Sequence, residues 1–472
     1  MSSVSRPAPP VDMPLLLSLY AAESFLLVMA IAIYRLGDLA LASSLGSTPG
    51  IAFVAALLAF LAAAVIVARR HLLPRRLGSP SFAFTAAMNV ITVVLLFIPA
   101  EIAVRLLSHS ASDAAVFLNK DTVLYPRSWE KAAAINRQLV DKASGSLSYL
   151  VYDETLGWTV GRDRSGRNGL YLSSAEGLRA ARRGAVLAGP KTKPRIAIVG
   201  DSFVFANEVA FEHSWGHLLE ASSGGKFEVL NFGVGGYSID QAFLRVKKDV
   251  LAWQPDIVIL GFPLADLYRT LAVYPFIHSP HWGIPFSKPR IVRDGNALQV
   301  LNVPTIDPHV MFAQKSIEDL PFLEYDAGYA RRHWQSSLAD LSYLKRLLLN
   351  AWADPGFELW SGGPNEEVVH LNAAIFREFI RLAEDNGAIP LIAYFPGRRE
   401  ILRLSRGEQT AGQRIMKETG VPFVDTTPCV REVGPDAGYV PNDPHYSPAG
   451  NAAVAKCIGA ALTRILAQDE KD

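Results

Sequence analysis

The sequence predicts a three-layer α/β domain with a parallel sheet, preceded by three transmembrane helices. From Lys193 onward, short β-branched runs alternate with longer helical patterns. Strands separated by helices form a parallel sheet covered on both faces. Ahead of them lie three consecutive apolar stretches, 14–34, 51–68 and 84–107. Each approaches the roughly twenty residues a helix needs to cross a bilayer.

A chain of 472 residues is too long for one ordinary domain core. Its formal net charge of +1 argues against a basic nucleic-acid binder and an acidic disordered chain. The only cysteines, Cys429 and Cys457, exclude a disulfide framework and a Cys-rich zinc or iron–sulfur site. One bridge between them is open in an oxidising compartment. The preferred reading is two unpaired small core residues.

A cleaved signal peptide accounts for one apolar stretch, not three. Glu23, inside the first, reads as a carboxyl facing another helix, because no partner charge lies at matching depth. Arg69, Arg70, Arg75 and Arg76 crowd the segment between the second and third stretches, with His71. Arg35 between the first two is offset by Asp38. Arginine-rich short loops stay in the cytoplasm. The expectation is a bacterial inner-membrane protein with a cytoplasmic N-terminus and everything after residue 107 periplasmic. Glu101 and Arg105, one helical turn apart, reach the interface at the outer end of the third span.

The expected organisation is a membrane domain over 1–110, a lead-in over 111–192 packed on the catalytic domain, and an α/β domain over 193–472. Expected strands are Arg195–Val199, Phe227–Phe232, Asp256–Leu260, Pro390–Phe395 and Val421–Asp425. Expected helices are Trp129–Leu139, Ser214–Ala221, Ile239–Trp253, Val368–Asn386, Ala411–Thr419 and Pro448–Gln468. An insertion at about 274–364 separates the third strand from the fourth. Within it, 288–292 and 298–302 suit a hairpin across Asp294-Gly295. A loop this long is most often a lid or a substrate wall.

Function belongs at the carboxyl ends of the strands. Gly200-Asp201-Ser202 ends the first strand, Asn231-Phe232-Gly233-Val234-Gly235-Gly236 follows the second, and Asp443-Pro444-His445 precedes the last helix. A serine hydroxyl becomes a good nucleophile when a histidine base held by a carboxylate takes its proton. These three blocks, in this order and at these element edges, resemble the SGNH hydrolases, the GDSL-type serine esterases, from about Tyr152 to the end. Bacterial membrane-anchored members are the nearest likeness.

The resemblance implies a flavodoxin-like three-layer fold and a triad of Ser202, His445 and Asp443. It implies an oxyanion hole from the backbone N–H groups of Ser202 and Gly236. In the third block the family carries an asparagine whose side chain is a further oxyanion donor; here the position holds Ala265, followed by Asp266. An alanine methyl donates no hydrogen bond. Arg269 and Asn231 are the candidate replacements, with Asp201 and Asp266 in support.

Each assignment has a plainer counterpart. Ser202 suits a helix N-cap, Gly235-Gly236 a plain turn, and Asp266 a structural role such as a cap. His278, His281 and His309 read as surface or lid residues. Trp215, Tyr237, Tyr268 and Trp282 line either a sugar pocket or the core. Nothing in the sequence calls for a cofactor or a bound metal.

The implied function is a membrane-anchored esterase acting on O-acyl groups, O-acetyl first among them, of cell-envelope or extracellular glycans. The alternatives are an O-acyltransferase using the same serine, or a catalytically silent glycan-binding or assembly component, which Ala265 favours. The expected partners are the bilayer and an acylated glycan, with a membrane-protein partner open and no nucleic acid.

Overall fold

The structure, a computed structural model, describes residues 97–469 apart from 99, 119–122, 146–147, 280–281, 296, 354–365 and 405–408. The first two expected spans, Glu23, the arginine-rich loop and most of the third span lie outside these residues, as does His281. Among the described residues, no helix is long and apolar enough to cross a membrane.

The elements used below are, in chain order, β1 (Ser108–Ala111), β2 (Ala114–Phe117), β3 (Val123–Leu124), α1 (Trp129–Ala143), β4 (Leu150–Asp153), β5 (Gly157–Val160), β6 (Ser165–Gly166) and β7 (Tyr171–Leu172). Next come β8 (Arg195–Gly200), α2 (Ser202–Phe205), α3 (Trp215–Ser222), β9 (Glu228–Asn231), α4 (Ile239–Arg245), β10 (Ile257–Pro263) and α5 (Leu264–Arg269). The remainder are β11 (Arg290–Asp294), β12 (Ala297–Leu301), α6 (Tyr343–Ala353), α7 (Glu366–Asp385), β13 (Ile389–Phe395), α8 (Ala411–Thr419), β14 (Val424–Asp425), α9 (Thr427–Val433) and α10 (Pro448–Asp469).

The chain divides into two units, 1–132 with 330–355, and 133–329 with 356–472. Most of the lead-in therefore falls in the second unit, and the insertion is shared between the two. In the first unit, helical residues 100–106 lead into the antiparallel ribbon β1–β2–β3. Arg105 reaches Glu101 at 2.6 Å, the expected pair. Glu101 also accepts the backbone N–H groups of Tyr343 and Leu344, so it caps α6 from a distant segment.

The second unit holds a parallel five-stranded sheet in the order β9-β8-β10-β13-β14. The chain runs outward from β8 to β9, then restarts on the other side at β10. The crevice between β8 and β10 is therefore the topological switch point, where ligands bind in open α/β sheets.

The period of two in the strands sorts the core into layers. Ala197, Val199, Val258 and Leu260 face one cluster with Ile375 and Phe379 of α7. Ile196, Ile198, Ile257 and Ile259 face the other with Leu219 of α3 and Val454 and Ile458 of α10. The hairpin β11–β12 forms with Asp294 opposite Ala297.

Two elements depart from expectation. The fifth strand, expected from Val421, pairs only at Val424 and Asp425; the Asp425 carboxylate accepts the Thr427 N–H and turns the chain into α9. The helix from Ile239 is α only to Arg245; it widens to a π turn over Val246–Val250 and tightens to 3-10 over Leu251–Trp253. An apolar stripe records which face is buried, not the hydrogen-bond offset within the helix.

The cysteines also depart from the preferred reading. Packing of α9 against α10 brings the Cα atoms of Cys429 and Cys457 to 6.0 Å, and the two side chains form a disulfide.

Candidate active site

Ser202 stands at the carboxyl end of β8 because the backbone there turns where no side chain fits. Gly200 has φ +155°, and a Cβ on it would lie 2.1 Å from the carbonyl oxygen of Gly261 on neighbouring β10. The next residue, Asp201, is the N-cap of α2: its Oδ1 accepts the Phe203 N–H at 2.8 Å. The capping role considered for Ser202 is thus taken by Asp201. Ser202 is the first helical residue, and its hydroxyl is directed elsewhere.

That hydroxyl lies 2.8 Å from Nε2 of His445, and Nδ1 of the same ring lies 2.6 Å from Oδ1 of Asp443. A weaker contact of 3.2 Å joins the Ser202 hydroxyl to Asp201 Oδ2. The base arrives on a tight turn in which Val440 donates to the His445 carbonyl and Asn442 is left-handed, at φ +60°. Tyr439 and Tyr446, on either side of that turn, both donate their hydroxyls to the Pro396 carbonyl just past β13. The turn is pinned to the tip of the sheet, and His445 is set beside the tip of β8.

The second block is laced onto the nucleophile turn. Val234 donates to the Gly200 carbonyl, and a Cβ on Gly233 would lie 2.4 Å from the Phe205 nitrogen. Asn231 supplies the lacing: its amide donates to the Val204 carbonyl and accepts the Gly233 N–H. These contacts hold the loop. Gly236 has φ +84°, a conformation L side chains rarely adopt. The backbone N–H groups of Ser202 and Gly236 donate to no acceptor among the described residues.

In the third block Asp266 caps nothing; the N-cap of α5 is Pro263. Asp266 is buried, and its carboxylate receives Arg269 Nη1 at 2.6 Å. The same nitrogen lies 3.4 Å from Asp201 Oδ2 and 3.3 Å from the Tyr237 carbonyl. Burial, with the neighbouring Asp201 charge adding to it and Arg269 opposing, pushes the Asp266 carboxyl well above the usual carboxylate range. For Asp443 burial also pushes upward, but the His445 ring and backbone hydrogen bonds, with the charges of His445 and Arg167, outweigh it and hold the carboxyl below its ordinary value.

Sequence reasoning missed a second carboxylate. The Glu208 carboxylate lies within 4.8 Å of both the Asp443 carboxylate and a His445 ring nitrogen. Arg167 is paired with it, and the Tyr171 hydroxyl both donates to it at 3.2 Å and accepts its backbone N–H at 3.0 Å. Glu208 and Ala206 are both left-handed, at φ +69° and +61°. This turn curls the chain back toward the base, and no spacing rule predicts it.

The other candidates settle into the core. Trp215 donates its indole N–H to the Phe203 carbonyl, and Tyr237 its hydroxyl to the Trp158 carbonyl. Tyr268 is buried as well. Of the four aromatics only Trp282 lies beside the site, its ring 4.4 Å from the Arg269 guanidinium carbon. His278 pairs internally with Asp326 at 2.7 Å, and His309 lies 3.4 Å from the Ser144 hydroxyl. Neither joins a metal-ligating cluster among the described residues.

No protein-family model matches the chain, and no curated protein does. Among solved structures it is similar to an acetylxylan esterase from Geobacillus stearothermophilus, at 15% identity over 57% of this chain and 94% of that one, TM-score 0.29. It is similar to a GDSL-like lipase from Bacteroides thetaiotaomicron, at 13% identity over 60% and 94%, TM-score 0.28. It is also similar to a G-D-S-L family protein from Desulfitobacterium hafniense, at 15% identity over 57% and 99%, TM-score 0.28. The functional reading rests on this chain's own residues.

Proposed function

We propose that the protein is a membrane-anchored serine esterase that removes O-acyl groups, O-acetyl first among them, from glycans outside the cytoplasmic membrane. The observation that carries the reading is the line of contacts from Ser202 Oγ to His445 Nε2 (2.8 Å) and from His445 Nδ1 to Asp443 (2.6 Å). The serine and the histidine lie 243 residues apart in the chain. Only the fold brings them together, in the order nucleophile, base and orienting acid.

The contacts set the course of the reaction. Ser202 Oγ attacks the ester carbonyl carbon while its proton passes to His445 Nε2. The carbonyl electron pair moves onto oxygen, which faces the N–H groups of Ser202 and Gly236. Collapse expels the alcohol oxygen, which takes the proton from His445. Water repeats the sequence on the acyl-serine, releasing the acid and restoring the hydroxyl. Asp443 keeps Nδ1–H directed at itself, so Nε2 presents its lone pair to Ser202.

Two features support an extracytoplasmic site. The arginine-rich segment between the second and third apolar stretches favours an outward orientation for the chain beyond residue 107. The Cys429–Cys457 disulfide suits an oxidising compartment.

The test is hydrolysis of p-nitrophenyl acetate by the full chain in detergent beside its Ser202→Ala variant. The variant should fall to the buffer rate. Equal rates for the two proteins would end the esterase reading.

A further inference from the structure

We infer that Arg269 supplies the third oxyanion donor, in the space that Ala265 leaves open. The inference rests on the esterase reading and deepens it. Ala265 and Arg269 are four residues apart on α5, and residues so spaced share one helix face. The Arg269 side chain therefore rises on the same side as the Ala265 methyl.

Its acceptors locate the guanidinium. Nη1 reaches Asp201, which precedes the nucleophile, and the Tyr237 carbonyl, which follows Gly236. The group thus spans from the neighbour of one backbone donor to the neighbour of the other. Asp201 Oδ2 is also the second contact of the Ser202 hydroxyl, so Arg269 is two contacts from the reacting oxygen.

The guanidinium has donors left over. Nη1 alone makes the three protein contacts. Nε is buried with no partner. Nη2 makes no hydrogen bond among the described residues and is not fully buried. The Trp282 ring, half-buried, lies 4.4 Å from the guanidinium carbon and shields one face of the cation. A guanidinium carries five N–H donors, and those without a protein acceptor are open to a ligand oxygen. Here two of its three nitrogens lack protein acceptors, and the side chain is 14% exposed.

When the carbonyl electron pair moves onto oxygen, Nη2–H donates to the new negative charge, as the asparagine amide does in the resembling family. The arginine donor is charged, and charge-assisted bonds are the stronger kind. The alanine is then not a lost function but the room that a longer side chain requires.

The experiment is a double-mutant cycle on the full chain, with Ala265→Asn, Arg269→Ala and the pair, followed by kcat and KM for p-nitrophenyl acetate. Removing one such donor costs about a hundred- to a thousandfold in kcat. Arg269→Ala should show that loss with KM little changed, because the bond forms only in the transition state. Adding Ala265→Asn to Arg269→Ala should recover at least about tenfold, since a new donor fills the same post. A purely structural role would show no such recovery.

Ala265→Asn alone keeps the test decisive if Arg269→Ala does not fold. In a site already served by Arg269 its gain should stay below about tenfold; a gain of about a hundredfold or more would mean the post was empty and would overturn the inference. A rise in KM with kcat kept would also overturn it, marking Arg269 as a ground-state anion binder. A wild type that hydrolyses no ester and takes no fluorophosphonate label on Ser202 removes the esterase reading itself, and the donor with it.

Discussion

Ser202 has two flanks, and they are built in opposite ways. On the base side, Asp443 is half-buried and carries its charge, because the His445 ring and backbone both donate to it. On the other side, Asp266 is buried beside a second carboxylate, Asp201, and its carboxyl is pushed well above the usual carboxylate range. Both carboxyls face a positive or potentially positive group. What separates them is first the depth of burial, complete for Asp266 and partial for Asp443, and then the count of donors against like charges. A carboxyl that orients a base has to stay ionised.

The comparison breaks most visibly on the base side. Asp443→Asn keeps the shape but reverses a donor and an acceptor, favouring the wrong imidazole tautomer. In the template triad that change costs about ten-thousandfold in kcat, and a loss of roughly that order is expected here. A loss below about tenfold would remove Asp443 from the orienting role.

On the Asp266 side the expected effect is on folding. Asp266→Ala leaves Arg269 and Asp201 with one partner fewer, and breaking a buried ionic cluster costs about 3–5 kcal/mol. Asp266→Asn keeps an acceptor for Arg269 and a donor for Asp201, so its cost should be far smaller. Urea melts of both variants check this. The two flanks also differ in the sign of their pH dependence. The lowered Asp443 contributes stability above its ordinary pKa that is lost as pH falls through the folded value. The raised Asp266 contributes stability that is full below its ordinary pKa and is lost as pH rises through the folded value. Asp266→Asn should therefore flatten the fall in stability as pH rises above the ordinary carboxylate range, and Asp443→Asn the fall as pH drops below it.

The same contrast explains what was legible in the sequence. Strand β8 was readable because Ile196 and Ile198 alternate with Ala197 and Val199, and both faces are buried. Ser202, Asp443 and His445 were readable because each sits at an element edge marked by glycine or proline. The link between Ala265 and Arg269 was half readable from their spacing. The acceptors that hold Arg269 were not, since Asp201 and Tyr237 come from other strand ends. The Cys429–Cys457 pair required knowing that α9 packs on α10. Asn231 and Tyr237 close the loops around the site, because side chains that can reach a ligand can equally satisfy the backbone beside it.

Glu208 is the finest test of the charged flank. It belongs to neither the triad nor the oxyanion side, yet its carboxylate stands within 4.8 Å of the Asp443–His445 pair. Two left-handed residues, Ala206 and Glu208, place it there, and backbone held in that region costs energy unless the surroundings impose it. Tyr171 and Arg167 do the imposing. When His445 takes the serine proton, a second negative charge faces the new positive one. Arg167 and solvent screen it, so its worth should be about 1 kcal/mol, or roughly fivefold in kcat for Glu208→Gln. A merely structural Glu208 predicts a fall in melting temperature with kcat unmoved. An electrostatic one predicts the reverse, and a salt-dependent kcat loss in Glu208→Gln at unchanged melting temperature would sharpen the division between the two flanks.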